Sequence, residues 1–256
     1  MYKLALSHSE VLAQDDGVVL DSTVGGVLRE AAFESANTLA LVEYNEDGHI
    51  GRCWSYAELL SDSEKLAIEL ARVFEKGERV AVWAPNIPEW VLLEYASALS
   101  GLVLGTINPA YQAAELEFVL KQSNAVALFL VPSFRGNPMR KVAREVVAEI
   151  DAIRLVCEIQ NFDAIFKQLA IDDSPKIDLP AVDSLDPVQI QYTSGTTGFP
   201  KVALLHHRGI TNNARFVLII LNVLISFEDV SWCRACLLYT SPSPRDRTRS
   251  RMPSSA

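Results

Sequence analysis

Short apolar runs alternate with amphipathic segments along most of this chain, and that alternation limits its possible folds more than any other feature. The apolar runs have the length of buried strands, whereas the longer segments repeat their apolar residues with the period of a helix. The predicted strands are 38–44, 49–54, Arg79–Trp83, 102–107, 126–131, 153–159 and 188–192. The predicted helices are 23–34, 55–77, 86–98, 114–122 and 138–150. This order predicts an α/β fold, a layered and largely parallel sheet with flanking helices.

Local signals set several of these boundaries. Ser55 followed by Glu58 predicts a capping box at the start of the second helix, and Gly77 is expected to end that helix. The turn 45–48 joins the first two strands. Segment 172–186 is rich in Asp and Pro and lacks a period, so we predict a loop or linker there.

The composition is that of an ordinary globular protein with an acidic surface. Of its 256 residues, 49% are hydrophobic and 21% are charged, and the formal net charge is −9. An acidic chain is a poor partner for nucleic acid or an anionic membrane, so neither is expected. The longest apolar run, 216–225, is too short to span a bilayer, and we predict a buried helix there. We therefore expect no transmembrane segment and a cytoplasmic location.

The composition changes at Cys236, where the chain becomes rich in Ser, Pro and Arg. One interpretation is a disordered basic tail. Residues 236–246 and 250–256, however, resemble a translated transposase-type sequencing adapter and its flanking primer, and such segments are excluded from fold reasoning. We therefore expect 1–235 to be a partial domain and 236–256 to be a non-native, disordered tail. On this interpretation the Cys233/Cys236 spacing, which is also that of a redox or zinc half-site, carries no chemistry.

The segment that follows the strand 188–192 has the composition of a phosphate-binding loop. It reads Thr-Ser-Gly-Thr-Thr-Gly-Phe-Pro-Lys from Thr193 to Lys201. Glycines let backbone N–H groups turn toward an anion, hydroxyls donate to phosphate oxygens, and lysine adds a cation. A flexible surface turn is the alternative for any such stretch. The position at a strand end favours phosphate binding, because ligands bind there in open α/β sheets. The predicted binding residues are Thr193, Ser194, Gly195, Thr196, Thr197, Gly198 and Lys201.

The run from Tyr192 to Lys201 resembles the phosphate-loop signature of the acyl-adenylate-forming superfamily, which includes acyl-CoA synthetases, luciferases and peptide-synthetase adenylation domains. Segments 203–213, 80–90 and 105–111 are similar to fatty acyl-CoA synthetases in particular. The resemblance covers about 20–225 and implies the N-terminal part of the acyl-CoA synthetase/luciferase-like fold.

The resemblance implies an ATP-dependent ligase that joins a carboxylic acid, expected to be a medium- or long-chain fatty acid, to CoA. The loop residues would hold the β- and γ-phosphates. Ligands for Mg²⁺ and the catalytic residues are expected mostly beyond this chain, which alone is expected to be inactive. Two alternatives stay open: another adenylating enzyme, amino-acid-activating or luciferase-like, and a non-catalytic nucleotide-binding module.

Several further residues have a structural or a functional interpretation. Val202 stands where the superfamily usually has glycine, so a stiffer loop exit is expected. His206 and His207, read as neighbours on one strand, would point to opposite faces, which argues against a metal or acid–base pair. Cys53 and Cys157 are expected in the core. The basic residues Arg140, Lys141 and Arg144 are expected to form a solvated helix face.

Overall fold

The computed structural model describes residues 18–45, 47–160, 162–169, 177–193 and 201–222. Within them the strands are β1 (Leu39–Tyr44), β2 (Ile50–Ser55), β3 (Arg79–Trp83), β4 (Val103–Ile107), β5 (Ala127–Leu130), β6 (Leu155–Glu158), β7 (Pro187–Thr193) and β8 (Lys201–His206). The helices are α1 (Val24–Glu34), α2 (Tyr56–Val73), α3 (Pro88–Leu99), α4 (Ala113–Ser123), α5 (Met139–Val147), α6 (Phe162–Leu169) and α7 (His207–Asn222).

Six of these strands form one sheet in the order β6-β5-β3-β4-β7-β8, and β1 and β2 form a separate antiparallel hairpin. Every neighbouring pair in the large sheet is parallel except β7 and β8. The predicted α/β architecture with a largely parallel sheet is therefore confirmed.

Helices cover both faces of this sheet. After β3 the chain crosses through α3 to β4 on one side, and then through α4 to β5 on the other side. Two right-handed crossovers that move in opposite directions across a sheet place their helices on opposite faces of it. Consistent with this, α3 contacts α1 and α2, whereas α4 contacts α5. The central strands β3, β4 and β5 are buried except at Arg79, which explains their continuous apolar runs.

Most predicted boundaries are confirmed within a few residues. Ser55 accepts a hydrogen bond from the backbone N–H of Glu58 and the Glu58 side chain returns one, as the capping box predicts. The prediction for the other end of α2 is wrong, because the helix ends at Val73. Phe74 turns to extended backbone there and buries its ring. Gly77, at φ +88°, instead occupies the turn before β3, where its N–H donates to the carbonyl of Gly101.

The predicted elements do not include α6 or β8, and α7 begins at His207, nine residues before the predicted helix 216–225. The described part of the expected linker, 177–186, contains no helix or strand, and the rest of that prediction lies outside the described residues. Arg140, Lys141 and Arg144 are exposed on α5, as expected for a solvated face. Arg140 forms an ion pair with Glu158, and the guanidinium lowers the pKa of that carboxyl.

The two predictions of buried cysteines have different outcomes. Cys157 lies in β6 and is buried, and burial raises the pKa of its thiol to about 12. Cys53 is exposed, so its assignment to the core is wrong. It lies in β2, and a two-stranded hairpin has too few neighbours to bury both of its faces.

Candidate phosphate site

The connections of the large sheet diverge between β4 and β7. The chain leaves β4 toward β5 on one side, whereas it leaves β7 toward β8 on the other. In open α/β sheets the crevice at such a point, outside the carboxyl ends of the strands, is where ligands bind. The predicted phosphate loop begins here, because Thr193 is the last residue of β7.

Both ends of the predicted loop are held by the β7–β8 ladder. Thr193 lies opposite Lys201 in the register, and Tyr192 lies opposite Val202. Lys201, exposed at the start of β8, therefore returns beside the point at which the loop departs. Ser194, Gly195, Thr196, Thr197 and Gly198 lie outside the described residues.

Val202 fits this arrangement without a positive backbone angle. Among the described residues the only non-glycine positions with positive φ are Asn124 and Arg135. Val202 is an ordinary strand residue, and β-branched side chains suit a pleated surface. Val202 therefore needs no left-handed backbone, and this removes the backbone strain on which the expectation of a stiffer loop exit rested. The stiffness itself stays a prediction, since 194–200 lie outside the described residues.

The end of β7 is anchored to α4 through Tyr192. Its phenol O–H donates to the carbonyl oxygen of Val119 at 3.0 Å. Burial raises the pKa of this phenol, so it stays a neutral donor at physiological pH. The backbone that enters the predicted phosphate loop is thus fixed relative to a helix that packs on the sheet.

The segment after β4 reaches the same edge of the sheet. The carboxamide oxygen of Asn108 accepts from the N–H of Ala110 at 2.9 Å, and the N–H of Tyr111 donates to the Asn108 carbonyl. Asn108 therefore shapes the turn that follows β4. The indole Nε1–H of Trp83, at the end of β3, donates to the same carbonyl at 3.0 Å.

Comparison with known families identifies the family of this chain. Residues 28–241 match the family model described as "AMP-binding enzyme". The chain belongs to that family. The match also extends into the segment 236–256, for which a non-native origin was predicted.

Relatives of this AMP-binding enzyme include acyl-CoA ligases. It is 30% identical over 219 residues to human "Medium-chain acyl-CoA ligase ACSF2, mitochondrial", covering 76% of this chain and 35% of that protein. The first matched relatives are covered over only 35–39% of their length. The chain thus spans well under half of these proteins.

Solved structures share the fold. The inhibitor-bound N-terminal domain of FACL13 from Mycobacterium tuberculosis superposes with a TM-score of 0.60 at 28% identity, covering 73% of this chain and 45% of that one. Apo MbtA from Mycobacterium smegmatis superposes with a TM-score of 0.64 at 26% identity, covering 76% and 36%.

The N-terminal segment before α1 clamps the beginning of α7, a contact that the sequence did not indicate. Leu20 and Asn212 exchange two hydrogen bonds, from the Leu20 N–H at 2.9 Å and to the Leu20 carbonyl at 2.8 Å. The hydroxyl of Ser22 donates to that of Thr211 at 2.8 Å. Because α7 directly follows β8, the clamp also fixes the strand that receives the loop.

The two histidines do not share a strand, so that prediction is wrong. His206 ends β8, and its Nδ1 accepts from the N–H of Gly209 at 2.9 Å, which caps α7. His207 begins α7 and is fully buried. Its Nδ1 accepts from the N–H of Val24 at 3.2 Å, the first residue of α1. Among the described residues no group of His, Cys, Asp and Glu could hold a metal ion.

Acidification should destabilise the fold through His207. Burial lowers the pKa of its imidazole to about 4 from an ordinary 6.5, against the weaker opposing effect of Asp186. Between pH 6.5 and pH 4 this histidine is protonated in the unfolded chain but neutral in the folded chain. The folded state therefore loses stability as the pH falls from 6.5 toward 4. The loss is about 3 kcal/mol at most. We expect urea denaturation of His207→Asn to show a weaker pH dependence than the wild type over this range.

A distant exposed histidine provides the control. His49→Asn, in the turn between β1 and β2, should keep the slope of the wild type, because this side chain is exposed and does not contact His207. Equal slopes for the wild type and His207→Asn would contradict the assignment.

Proposed function

We propose that this chain supplies the phosphate-binding part of an ATP-dependent acid:CoA ligase. The observation that carries the proposal is the β7–β8 hairpin, whose ends, Thr193 and Lys201, are paired where the connections of the sheet diverge. The sequence between them is rich in glycine and hydroxyl groups. Membership in the AMP-binding enzyme family supports a nucleotide as the ligand.

In the proposed reaction a carboxylate attacks the α-phosphate of ATP, the bond to the β-phosphate breaks, and pyrophosphate leaves. The thiol of CoA then attacks the acyl carbonyl, and AMP leaves. This chain contributes to the first step. Hydroxyls and backbone N–H groups of 193–198 and the ammonium of Lys201 bind the β- and γ-phosphates, and so stabilise the charge that develops on the leaving pyrophosphate.

Mg²⁺ is implied by this chemistry, but the described residues do not form a site for it. They contain no group of three His, Cys, Asp or Glu side chains that could hold a metal ion. We therefore assign no Mg²⁺ ligand to this part of the chain.

The substrate is proposed to be a medium- or long-chain fatty acid. The support for this is that the matched human relative is named as a medium-chain acyl-CoA ligase. The location is proposed to be cytoplasmic, although the human relative is named as mitochondrial. No helix among the described residues is long and apolar enough to cross a membrane.

An ATP–pyrophosphate exchange assay on the full-length protein tests the function. Exchange should depend on a fatty acid, and acyl-CoA should form only when CoA is added. This chain alone should give no exchange above its own Lys201→Ala variant. Exchange stimulated by amino acids instead would indicate another adenylating enzyme. Nucleotide binding without exchange by the full-length protein would indicate a binding module, and acid turnover without ATP would refute the proposal.

The non-native origin of 236–256 remains a prediction, and the family match extends six residues into that segment, to 241. Resequencing the source DNA decides the question. An uninterrupted genomic frame that encodes this same tail would contradict the prediction.

A further inference from the structure

The side chain of Asn137 joins two loops at the carboxyl edge of the sheet. It lies between β5 and α5, and its Nδ2 group donates to the carbonyl oxygens of Pro109 at 3.2 Å and Tyr111 at 3.0 Å. Both acceptors belong to the segment between β4 and α4. The two hydrogens of one carboxamide are thus used on backbone that is more than twenty-five residues away.

A tight turn holds Asn137 in place. The backbone groups of Phe134 and Asn137 exchange two hydrogen bonds, at 2.8 and 3.1 Å. Arg135 and Gly136 between them have φ of +46° and +83°. Glycine adopts such angles freely, but arginine does so at a cost, so this turn keeps a conformation that its sequence only partly favours. The rigid turn leaves the carboxamide little freedom to move.

The contact is a costly way to gain stability. Asn137 is 9% exposed, and its Oδ1 has no hydrogen-bond partner in the described part of the chain. The opposite orientation of the amide would point that oxygen at two carbonyl oxygens, so the hydrogen bonds determine which atom faces them. A buried acceptor without a donor offsets much of what the two donated bonds contribute. Position, rather than stability, explains this side chain better.

The held segment leads directly to the phosphate site. Asn137 fixes Pro109 and Tyr111, and α4 begins two residues after Tyr111. In α4 the carbonyl of Val119 accepts from the phenol of Tyr192, and Thr193 follows in the chain. Four consecutive contacts or chain links therefore connect the β5–α5 turn to the first residue of the predicted phosphate loop.

We infer that Asn137 is a positioning residue for the phosphate site, acting through residues 108–111 and α4 on the end of β7. The effect on phosphate binding rests on the proposed function. The effect of Asn137 on the position of residues 108–111 does not, because that position can be measured separately.

The indole proton of Trp83 reports on that position. It is bonded to the carbonyl of Asn108, and Trp83 is fully buried. In Asn137→Ala we expect its hydrogen exchange, measured by NMR on this chain, to accelerate about tenfold, since the segment opens more easily. The indole signals of Trp54 and Trp90 should keep their positions and exchange rates, which shows that the variant is folded. Asn213→Ala, at an exposed asparagine of α7, is the matched control.

A second variant separates hydrogen bonding from shape. Asn137→Asp preserves the size of the side chain but replaces the donor group with an oxygen that faces two carbonyls. We expect it to accelerate Trp83 exchange at least as much as alanine does. If aspartate instead preserves slow exchange, the side chain only fills space and the inference is wrong.

Binding of inorganic tripolyphosphate to this chain, followed by NMR, tests the functional half. We expect Asn137→Ala to raise the dissociation constant about tenfold and Asn213→Ala to leave it unchanged. Unchanged Trp83 exchange, or faster exchange with unchanged tripolyphosphate affinity, would overturn the inference. If the wild type does not bind tripolyphosphate, or if Lys201→Ala binds it equally well, the proposed phosphate site is refuted. The inference about Asn137 is then refuted as well, even if Trp83 exchange changes as expected.

Discussion

Replacing Lys201 with alanine in the proposed full-length ligase is expected to slow acyl-adenylate formation about 10²-fold. The register places Lys201 beside Thr193, at the two ends of the predicted phosphate loop. In the proposed reaction its ammonium stabilises the charge that accumulates on pyrophosphate as the bond to the α-phosphate breaks. An interaction that strengthens in the transition state raises the rate of the chemical step. ATP–pyrophosphate exchange at saturating ATP and acid measures that step.

Two variants control this experiment. Lys201→Arg keeps a cation but presents it on a larger planar group, so it should recover only part of the rate. Lys121→Ala removes an exposed lysine that pairs with Glu117 on α4, and it should leave the rate unchanged. A full rate for Lys201→Ala would exclude Lys201 from the mechanism. A similar loss in Lys121→Ala would show that the assay reports net charge instead.

The central part of the fold was predictable because its signals are local. The run Arg79–Trp83 is a strand with the predicted bounds, and α3 begins at Pro88, a residue that suits the first turn of a helix. Buried parallel strands need continuous apolar runs, and such runs are visible in the sequence. Gly77 was misassigned because Phe74 had already ended the helix by burying its ring, and that choice depends on the core.

The antiparallel edge was less predictable because pairing is not local. In β8 the side chains alternate between exposed and half-buried positions, and the strand exists because β7 lies beside it. Once that ladder is known, Val202 is an ordinary strand residue and His206 and His207 fall on different elements. The phosphate motif could be located from its composition, whereas Asn137 had no sequence signal, because its partners come from another loop.

An ion pair between the hairpin and α3, in which only the carboxylate is buried, was equally invisible in the sequence, since its partners are 37 residues apart. The guanidinium of Arg52 donates to both carboxylate oxygens of Glu89, at 2.5 and 3.2 Å, and also binds Glu43. The Glu89 side chain is only 1% exposed. It lies in the first turn of α3, where the helix dipole favours a negative charge.

Replacing Arg52 with methionine should therefore destabilise the chain by about 2 to 3 kcal/mol, since the carboxylate of Glu89 stays buried without its cation. This loss of stability is smaller than the loss expected for a fully enclosed ion pair, because Arg52 is 42% exposed and water can reach the site. Urea denaturation measures the loss, provided that the dependence on urea is unchanged. Glu43→Gln, which weakens only the more exposed pair, should cost less than about 1 kcal/mol.

A double variant decides whether the pair or the packing is responsible. Arg52→Met combined with Glu89→Met removes both charges, and replacing a buried ion pair by apolar side chains is often nearly neutral. We therefore expect the double variant to be more stable than Arg52→Met alone. The coupling between the two sites should be favourable by more than about 1 kcal/mol, because the side chains are in direct contact. If the two single losses simply add, the guanidinium does not neutralise Glu89, and Arg52 stabilises the hairpin only through its contacts with Glu43 and its packing against the ring of Trp54.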